Sequence, residues 1–583
     1  MNWNLQKIYN NETEWENDFK KIDDYIEELK SIKGTLGTLE GFTKYAKWVN
    51  ESGILISKLY VYASMKNDLN QKDKASSRVY ARIASKYAEY VEKSSFAEPE
   101  ILASGKDKIL SFCKGENEAF YFSMENLFRR NEHILDEKSE GILASFADSA
   151  STFNELYSKL TIVDNKGVNV KLSTGEEVEI NKANMTYYLG ILENPSDRTK
   201  VFNAVYKFYD EHKATLASIY AGILKSEYAN MKTRGYKSMV SARLDSENIP
   251  VSVYESLINT TRENTAPLKR YYKIRKDYFK LDKVRTYDRF LKFRESSKNY
   301  SYNEAKKMVL EAMDFMGEDF KAKAKFCLED GRVDVDIKPG KRNGAYSTST
   351  YNEGAFILLN HNGDLSDAFT VAHECGHSIH TTYTNENQEY INSNYSLFVA
   401  EVASTFNEQR FLDYLMSTVT DKNERIVLLQ QAIDNICATY YRQTLFATFE
   451  YEAHKLLEEG KTIDEEALSD IMRSLYKDYY DIDLNDEEYK CLVWAYIPHF
   501  FNYPFYVYQY ATSFSASMAL YDDVKNKKDG AFDRYINLLK SGGSNYPVLL
   551  LKNAGVDLTK KEAFLAVVRR MDSLLDELEA LLK

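Results

Sequence analysis

The chain has 583 residues, a formal net charge of −12 at pH 7, 24 glycines and 8 prolines. A chain of this length exceeds one small domain and can bury a large core, and so few glycines and prolines favour long helices over a β-rich fold. The acidic balance, without a basic stripe, argues against a nucleic-acid partner or an anionic membrane surface.

The cysteines and the hydropathy pattern bear on the compartment. Cys113, Cys327, Cys375, Cys437 and Cys491 are scattered without a C-x-x-C pair, so neither a disulfide framework nor a thiolate metal site is indicated. The first residues lack the basic start and apolar run of a signal peptide, and no apolar run approaches the ~20 residues of a membrane span. We therefore expect a cytoplasmic protein without a membrane partner.

The N-terminal part of the chain has a helical pattern. Apolar residues recur at three- and four-residue spacing in segments 15–31, 39–65 and 75–96, with charges between them. Pro99 interrupts this pattern, which resumes over 124–160. These segments are predicted to form a helical lobe.

A small β-hairpin is predicted between residues 160 and 181. Apolar residues alternate on both sides of Asn-Lys-Gly at 165–167, which is the expected turn. We place a soft boundary after the hairpin. It divides the chain into an N-terminal helical domain over residues 1–190 and a second, catalytic domain over residues 191–583.

A second non-helical stretch covers residues 332–360. Val333–Ile337 alternates, and Gly354–Asn360 has the composition of a strand. A long helix is predicted shortly afterwards, with Ser366 or Asp367 as its N-cap. Strand, turn and helix thus follow one another directly before the most informative motif of the chain.

That helix carries His373-Glu374-x-x-His377, the pattern of zinc metallopeptidases. One helical turn separates the histidines, so their imidazoles share a face, while Glu374 is rotated about 100° from His373. Two neutral histidines and one further ligand can hold a zinc ion whose fourth position stays open. The motif predicts one Zn²⁺ per chain, with Glu374 as the general base on a zinc-bound water.

The third metal ligand is expected downstream, where four carboxylates are candidates. Glu386 and Glu389 lie in a polar loop that is too loose to hold an oxygen close to a metal. Glu401 lies in an otherwise apolar helix start, where a buried carboxylate is costly unless it has a partner such as zinc. We therefore choose Glu401. Glu408, seven residues on, is either an acceptor behind a ligand histidine or a surface salt-bridge residue.

Three stretches together resemble oligoendopeptidase F, one of the thimet oligopeptidase-like zinc peptidases. They are His-Glu-Cys-Gly-His at 373–377, Phe-Val-Ala-Glu-Val-Ala-Ser at 398–404, and His-Phe-Phe-Asn-Tyr-Pro-Phe-Tyr-Val-Tyr-Gln-Tyr at 499–510. The resemblance implies a mainly α, multi-lobed zincin-type fold with a small β element beside the active-site helix, enclosing a deep cleft. It also implies hydrolysis of internal bonds in short peptides, which would be the partners of the protein.

The resemblance further assigns groups that bind the substrate. In the family, a histidine and tyrosines of the last stretch donate hydrogen bonds to the substrate and to the tetrahedral oxyanion. Matched by position, this implies His499 for substrate binding and favours Tyr506 as the oxyanion donor. The remaining tyrosines expected to contact the substrate are Tyr503, Tyr508 and Tyr510. A buried aromatic cluster is the alternative for each of them.

The strand at Gly354–Asn360 is a candidate for a backbone contact. An extended peptide that added to its edge, along Gly354 and Ala355, would have its backbone held over the metal. This mode is also implied by the family resemblance. The alternative is an ordinary strand inside a sheet.

Two other functions remain open at this stage. A zinc carboxypeptidase on a similar helical fold also uses H-E-x-x-H with a distant glutamate, and blocking the peptide's C-terminus distinguishes it from an endopeptidase. A helical peptide-binding protein with a silent motif is the other alternative, and a protein without stoichiometric zinc would favour it. The sequence gives no oligomeric state.

Overall fold

The computed structural model describes residues 2–296, 298–487 and 489–583. Helices dominate all three ranges, and the strands are confined to one hairpin and one three-stranded sheet. The mainly α fold predicted from the low glycine and proline content is confirmed. No helix in these ranges combines the length and apolar character that a bilayer crossing requires.

The α-helices are numbered in chain order. The first nine are α1 (Glu12–Ile32), α2 (Leu39–Leu69), α3 (Lys74–Ser94), α4 (Ala97–Ser104), α5 (Lys106–Phe112), α6 (Tyr121–Arg130), α7 (Glu137–Ser158), α8 (Met185–Ile191) and α9 (Pro195–Glu211). The next six are α10 (Lys213–Thr233), α11 (Met239–Leu244), α12 (Val251–Glu263), α13 (Ala266–Tyr278), α14 (Tyr302–Ala312) and α15 (Gly317–Cys327). The last are α16 (Leu365–Asn387), α17 (Leu397–Thr418), α18 (Lys422–Ile436), α19 (Arg442–Glu458), α20 (Glu465–Tyr480), α21 (Val493–Tyr496), α22 (His499–Asn502), α23 (Tyr508–Lys525), α24 (Ala531–Lys540), α25 (Pro547–Asn553) and α26 (Glu562–Leu582).

The predicted hairpin exists, but its turn lies elsewhere. Strand β1 (Val168–Lys171) pairs antiparallel with β2 (Glu177–Ile180). The turn is closed by Leu172 and Glu176, and Gly175 supplies the left-handed backbone that it requires, with φ +91°. The predicted turn at 165–167 is therefore wrong. The reason is that the chain is still helical at Lys159–Val163, so the first strand starts later than the alternation indicated.

The chain divides into two compact units, each assembled from three segments. The first comprises Met1–Glu132, Ser297–Thr418 and Leu520–Val556, and the second comprises His133–Ser296, Val419–Ala519 and Asp557–Lys583. The boundary predicted near residue 190 lies inside the second unit, so the compact units are not the two predicted segments. Helices distant in sequence share a core, as α18 and α26 do. The division into domains 1–190 and 191–583 stays a prediction.

In the first unit, the N-terminal helices share a core with the three-stranded sheet. The sheet has the order β3 (Val333–Asp334), β5 (Gly354–Leu358), β4 (Tyr346–Thr350), with β3 parallel and β4 antiparallel to β5. Phe356 and Leu358 of β5 are fully buried in this core, where each side chain contributes about 1.5–3 kcal/mol. Trp3 Nε1 donates to the carbonyl of Ile357 at 2.8 Å. The first residues thus anchor the strand that precedes α16.

The second unit buries an unusual amount of tyrosine. Tyr209, Tyr220, Tyr254 and Tyr271 are at most 1% exposed, and Tyr254 donates its hydroxyl to the carbonyl of Ala447 at 2.7 Å. A tyrosine ring supplies large apolar area, and its hydroxyl then requires a partner inside the core. Many of the 45 tyrosines of this chain are therefore core residues.

Candidate metal centre

The start of α16 is fixed by a reciprocal capping box. Asp364 accepts a hydrogen bond from the backbone N of Asp367 at 2.8 Å, and Asp367 accepts from Asn362 and Gly363. The N-cap is therefore Asp364 rather than the predicted Ser366 or Asp367. Gly363 has φ +92°, which turns the chain directly before the cap and lets the helix begin earlier than expected.

A glycine inside the motif brings a second helix close. A Cβ atom on Gly376 would lie 2.6 Å from the carbonyl oxygen of Ala403 and 2.7 Å from Cα of Ser404. Both atoms belong to the backbone of α17, so only glycine permits this approach of the two helices. The side chain of Asn407 on α17 also donates to the carbonyl of Ala372 on α16, at 3.3 Å. The close packing sets the position of the α17 residue Glu401.

Three donor atoms converge on one point between α16 and α17. His373 Nε2 and His377 Nε2 lie 3.2 Å apart, and Glu401 Oε2 lies 3.4 Å and 3.5 Å from them. Tetrahedral zinc with bonds of about 2.0–2.1 Å has neighbouring ligand atoms about 3.3 Å apart. The spacing and the His₂Glu donor set therefore fit one tetrahedral metal ion.

Glu401 is held in place and ionised. Ser404 Oγ donates to Glu401 Oε2 at 2.9 Å. Burial opposes ionisation of the Glu401 carboxyl, but the hydrogen bond and charge of His377 and the charge of His373 lower its pKa to about 2. Glu401 is thus an anionic oxygen ligand at neutral pH.

Glu408 lies behind one of the two histidines. Its Oε1 atom is 2.6 Å from His373 Nδ1, and its side chain is 16% exposed. Burial lowers the pKa of His373, but the hydrogen bond and charge of Glu408 outweigh it and raise that pKa to about 9. The geometry is that of an acceptor behind a ligand histidine, and not that of a surface salt bridge.

Glu374 is buried beside the two histidines and keeps one carboxyl oxygen without a partner among the described residues. It is 6% exposed, and its Oε2 atom has no hydrogen-bond partner within the described part of the chain. Burial raises the pKa of Glu374, against the lowering effect of His373 and His377. A carboxyl oxygen without a fixed partner is available to exchange a proton with a bound molecule.

The other downstream carboxylates are engaged elsewhere. Glu386 forms an ion pair with Lys323 at 2.7 Å, and Glu389 accepts a hydrogen bond from Asn50 Nδ2 at 2.9 Å. Neither joins the cluster of donors around His373 and His377.

The strand beside α16 does not offer the edge that was expected. Gly354 and Ala355 of β5 pair with β4 on one side, and on the other side Arg332 Nη1 donates to the carbonyl of Ala355 at 3.1 Å. Since both edges of β5 are occupied here, the structure gives no support to a peptide added along Gly354 and Ala355, and that role stays a prediction. β4 is an edge strand of this sheet in the described ranges, as β3 is on the other side.

A small polar pocket borders this open strand and the C-terminal half of α16. Its volume is about 180 Å³. Every lining residue carries a hydroxyl or an amide and none carries a charge: Ser57, Ser347, Thr348, Ser349, Tyr351, Thr381, Asn385, Tyr390, Ser393, Asn394 and Tyr395. Thr381 lies one helical turn after His377, so the pocket continues the face of α16 that bears the donors.

The second unit gathers most of the predicted substrate-binding side chains. The helix is interrupted between α22 and α23, yet the rings of His499 and Tyr506 stack at 6.1 Å, and that of Tyr510 lies 5.4 Å from Tyr506. Tyr503 is 57% exposed beside Tyr506. Burial lowers the pKa of His499, which favours its neutral form. These four residues form one aromatic cluster that a ligand can reach.

Tyr508 does not join this cluster. It is 1% exposed, and its ring packs 5.0 Å from that of Tyr254 in the core of the second unit. Burial raises the pKa of its hydroxyl well above the ordinary value. The structure therefore gives no support to a substrate contact of Tyr508, and that role stays a prediction.

The bend at Phe505, before Tyr508, is held by an acid that the sequence analysis missed. Phe505 has φ +53°, a left-handed conformation that is unfavourable for a bulky residue. Its backbone N donates to Oε1 of Glu450 at 2.8 Å, and its ring packs on His454 at 4.2 Å. Glu450 is fully buried in α19. Its sequence signal, an acid within an apolar helical run, resembles that of Glu401.

Sequence-family models match most of the chain. The model described as Peptidase family M3 matches residues 191–570, and the model described as Oligopeptidase F matches residues 100–166. Oligopeptidase PepF of Bacillus subtilis (strain 168) is 34% identical, over 100% of this chain and 87% of the relative. Group B oligopeptidase PepB of Streptococcus agalactiae serotype III (strain NEM316) is 32% identical, over 99% of this chain and 96% of the relative.

Solved structures share the fold along the whole chain. A structure from Chlamydophila abortus has a TM-score of 0.92 at 27% identity, and the two chains are covered to 99% and 98%. Oligoendopeptidase F from Enterococcus faecium has a TM-score of 0.72 at 27% identity, with coverage of 98% and 99%. The helical fold and the donor set define the class, a helical metallopeptidase. The family match and the relatives make the assignment specific: the chain belongs to peptidase family M3.

Proposed function

We propose that this protein is a zinc-dependent endopeptidase that hydrolyses internal bonds of short peptides. The observation that carries the proposal is the spacing of His373 Nε2, His377 Nε2 and Glu401 Oε2, 3.2–3.5 Å from one another. The relatives named oligopeptidase and oligoendopeptidase F support short peptides as the substrates. Zinc is favoured over other divalent ions by the two imidazoles and one carboxylate.

Each residue of the centre has a role in the proposed reaction. A zinc ion held by His373, His377 and Glu401 would polarise the scissile carbonyl and lower the pKa of a water. Glu374 accepts the proton of the attacking water and returns it to the leaving amine. Its buried carboxyl, with a raised pKa, suits a group that carries this proton between the two steps. Glu408 fixes the orientation of His373.

The aromatic cluster of the second unit supplies hydrogen bonds in this proposal. Tyr506 donates its hydroxyl to the oxyanion of the tetrahedral intermediate, and His499 binds the substrate. Their ring contact, and the low pKa that burial gives to His499, support a neutral, oriented pair. Tyr503 and Tyr510 flank the pair and line the route of the peptide.

The substrate backbone is assigned to β4 instead of β5. β3 and β4 both have an unpaired edge in the described ranges, and it is β4 whose residues Ser347–Ser349 line the hydroxyl-rich pocket beside α16. An extended peptide that pairs with this edge gains backbone hydrogen bonds that are independent of its sequence. Its side chains would then select among peptides.

A cytoplasmic location completes the proposal. The five cysteines are free thiols, a state that a reducing compartment maintains. We also propose that the chain has two domains with a boundary near residue 190. The family match that begins at residue 191 supports this division.

The test uses a short internally quenched peptide that is blocked at both ends. The purified protein should cleave it at internal bonds, stop when a chelator removes the metal, and recover when zinc is added back. Cleavage of the unblocked peptide alone, one residue at a time from the C-terminus, would identify a carboxypeptidase instead. Zinc binding without cleavage of any peptide would favour the peptide-binding alternative.

A further inference from the structure

The segment that carries His499 has little helical structure of its own. α21 and α22 contain four residues each, and Ile497 between them is extended, as is typical of a residue before proline. The last four carbonyl groups of any helix lack a partner within the helix, so helices this short leave their carbonyls free. The position of His499 therefore depends on hydrogen bonds from outside the segment.

Two of these carbonyls accept hydrogen bonds from side chains of α7. The hydroxyl of Tyr157 donates to the carbonyl of Ala495 at 3.0 Å. Nδ2 of Asn154 donates to the carbonyl of Phe501. The ring of Tyr157, which is 1% exposed, also stacks on that of Phe501, with ring centres 3.8 Å apart. α7 thus contacts the segment on both sides of His499.

A third carbonyl accepts a hydrogen bond from a lysine that follows the β1–β2 hairpin. Lys182 Nζ donates to the carbonyl of Tyr496 at 3.0 Å and lies 4.4 Å from the centre of the ring of the same residue. Within the described ranges no carboxylate pairs with this ammonium group, and burial lowers its pKa to about 8. Lys182 therefore loses water without gaining an opposite charge, and Tyr496 offsets a part of that cost.

We propose that Asn154, Tyr157 and Lys182 are positioning residues that hold His499 in place for the binding of the peptide substrate. Their three hydrogen bonds fix the backbone before and after His499. A side chain on a fixed backbone samples fewer positions, so less conformational entropy is lost when a ligand binds to it. The part of the proposal that concerns the substrate rests on the proposed function.

The proposed oxyanion donor is held by a different contact. The chain between His499 and Tyr506 passes through Phe505, whose backbone N donates to Glu450. Loss of the hydrogen bonds to residues 495–501 should therefore disturb His499 more than Tyr506. Substrate binding should suffer more than stabilisation of the transition state, and KM and kcat report the two effects separately.

Hydrogen–deuterium exchange followed by mass spectrometry tests the positioning without reference to catalysis. Tyr157→Phe removes the hydroxyl that donates to Ala495 and keeps the stacked ring. Lys182→Met removes the ammonium donor and keeps the aliphatic chain. Each variant should exchange the amides of residues 495–503 about 3–10-fold faster than wild type, while exchange in α18 stays unchanged. Lys182→Arg retains N–H donors and should restore most of the slow exchange.

Tyr441→Phe is the matched control for Tyr157→Phe. Tyr441 is also fully buried in the second unit, and its hydroxyl donates to the carbonyl of Asn264 at 3.2 Å. Both substitutions should lower the unfolding temperature by about 1–2 °C. Only Tyr157→Phe should accelerate exchange in residues 495–503. Equal exchange in the two variants would overturn the proposal.

Kinetics on the blocked, quenched peptide measure the consequence for substrate binding. Tyr157→Phe and Lys182→Met should raise KM about 3–10-fold, with kcat changed less than about twofold and zinc content unchanged. Tyr441→Phe should keep the KM of wild type. A fall in kcat at unchanged KM in the Tyr157 and Lys182 variants would overturn the assignment to His499.

A double-mutant cycle separates an action through His499 from a general loss of structure. In a His499→Ala background, Tyr157→Phe should raise KM no further, because the side chain that it positions is absent. An equal rise of KM in both backgrounds would overturn the proposal. The exchange experiment reports the positioning of the segment even if the wild-type protein cleaves no peptide, so failure of the proposed function is distinguishable from failure of the positioning.

Discussion

Glu408 Oε1 lies 2.6 Å from Nδ1 of His373, on the opposite side of the imidazole from Glu401. Nδ1 therefore donates its hydrogen to Glu408, and Nε2 is the atom that a metal ion binds when it displaces the second proton of the ring. The tautomer, the ring orientation and the basicity of this ligand are all set by one carboxylate from the neighbouring helix.

Glu408→Ala should weaken zinc binding by roughly 10–100-fold, because His373 would lose its acceptor and its fixed orientation. Competition with a chromophoric chelator measures the zinc dissociation constant. Glu386→Ala is the matched control, since Glu386 is also an acid downstream of the motif but pairs with Lys323. An unchanged constant for Glu408→Ala would show that the hydrogen bond does not support the metal.

Glu374→Gln should retain zinc and lose activity by roughly 10²–10⁴-fold, as expected when a general base is removed. The amide has nearly the shape of the carboxyl but cannot accept the proton of the attacking water. Zinc stoichiometry and kcat on the quenched peptide are measured on the same sample. Full activity in this variant would refute the role assigned to Glu374.

Gly376→Ala should separate the two helices that carry the metal ligands. Its Cβ would meet the α17 backbone at 2.6–2.7 Å, and backbone cannot move aside as a side chain can. We expect a destabilisation of about 1–3 kcal/mol and weaker zinc binding. Gly141→Ala on α7 is the control, because a Cβ there meets open space and should stabilise the helix by about 0.5–1 kcal/mol. Equal effects of the two substitutions would contradict the packing argument.

Tyr506→Phe and Tyr508→Phe should have different consequences. Loss of the proposed oxyanion donor at Tyr506 should lower kcat by roughly 10²–10³-fold with little change in KM. Tyr508 is buried against Tyr254, so removal of its hydroxyl should cost about 1 kcal/mol of stability and leave kcat nearly unchanged. Steady-state kinetics measure kcat and KM of both variants, and thermal unfolding measures their stability. A larger loss of kcat in Tyr508→Phe would reverse the assignment.

The sequence was sufficient for those parts of the site whose geometry is local. His373 and His377 share a face because helical periodicity alone places them there, and Glu401 stood out because its neighbours are apolar. Other features depend on contacts between distant segments. β5 is a central strand because β3, from an earlier segment of the chain, pairs with its second edge, and no local pattern indicates this. Tyr508 points inward because of the conformation of Phe505.

Turn chemistry explains the misplaced hairpin. Asn-Lys-Gly at 165–167 and Ser-Thr-Gly at 173–175 are both plausible turns by composition. The choice between them depends on how far the preceding helix extends, and that helix continues as a π-helical turn to Val163. The role of Gly376 could not be predicted from the local sequence either, because it depends on the position of α17.

Glu450 provides the last prediction, because its buried carboxyl holds the bend at Phe505. Burial raises the pKa of Glu450 well above its ordinary value, against the lowering effect of the Phe505 N–H, so the folded protein binds a proton there that the unfolded chain releases above about pH 4.5. Stability from this group is therefore present at low pH and declines as pH rises through the folded-state pKa. Glu450→Gln keeps a neutral acceptor that does not titrate. The unfolding temperature of this variant, relative to that of wild type, should therefore rise between pH 5 and pH 8.

Glu450→Ala leaves the Phe505 N–H without an acceptor and should lower kcat about tenfold or more with zinc content unchanged. Two results would contradict a neutral Glu450 that positions this bend. One is a loss of kcat in Glu450→Gln as large as that in Glu450→Ala. The other is a difference in unfolding temperature between Glu450→Gln and wild type that does not change with pH.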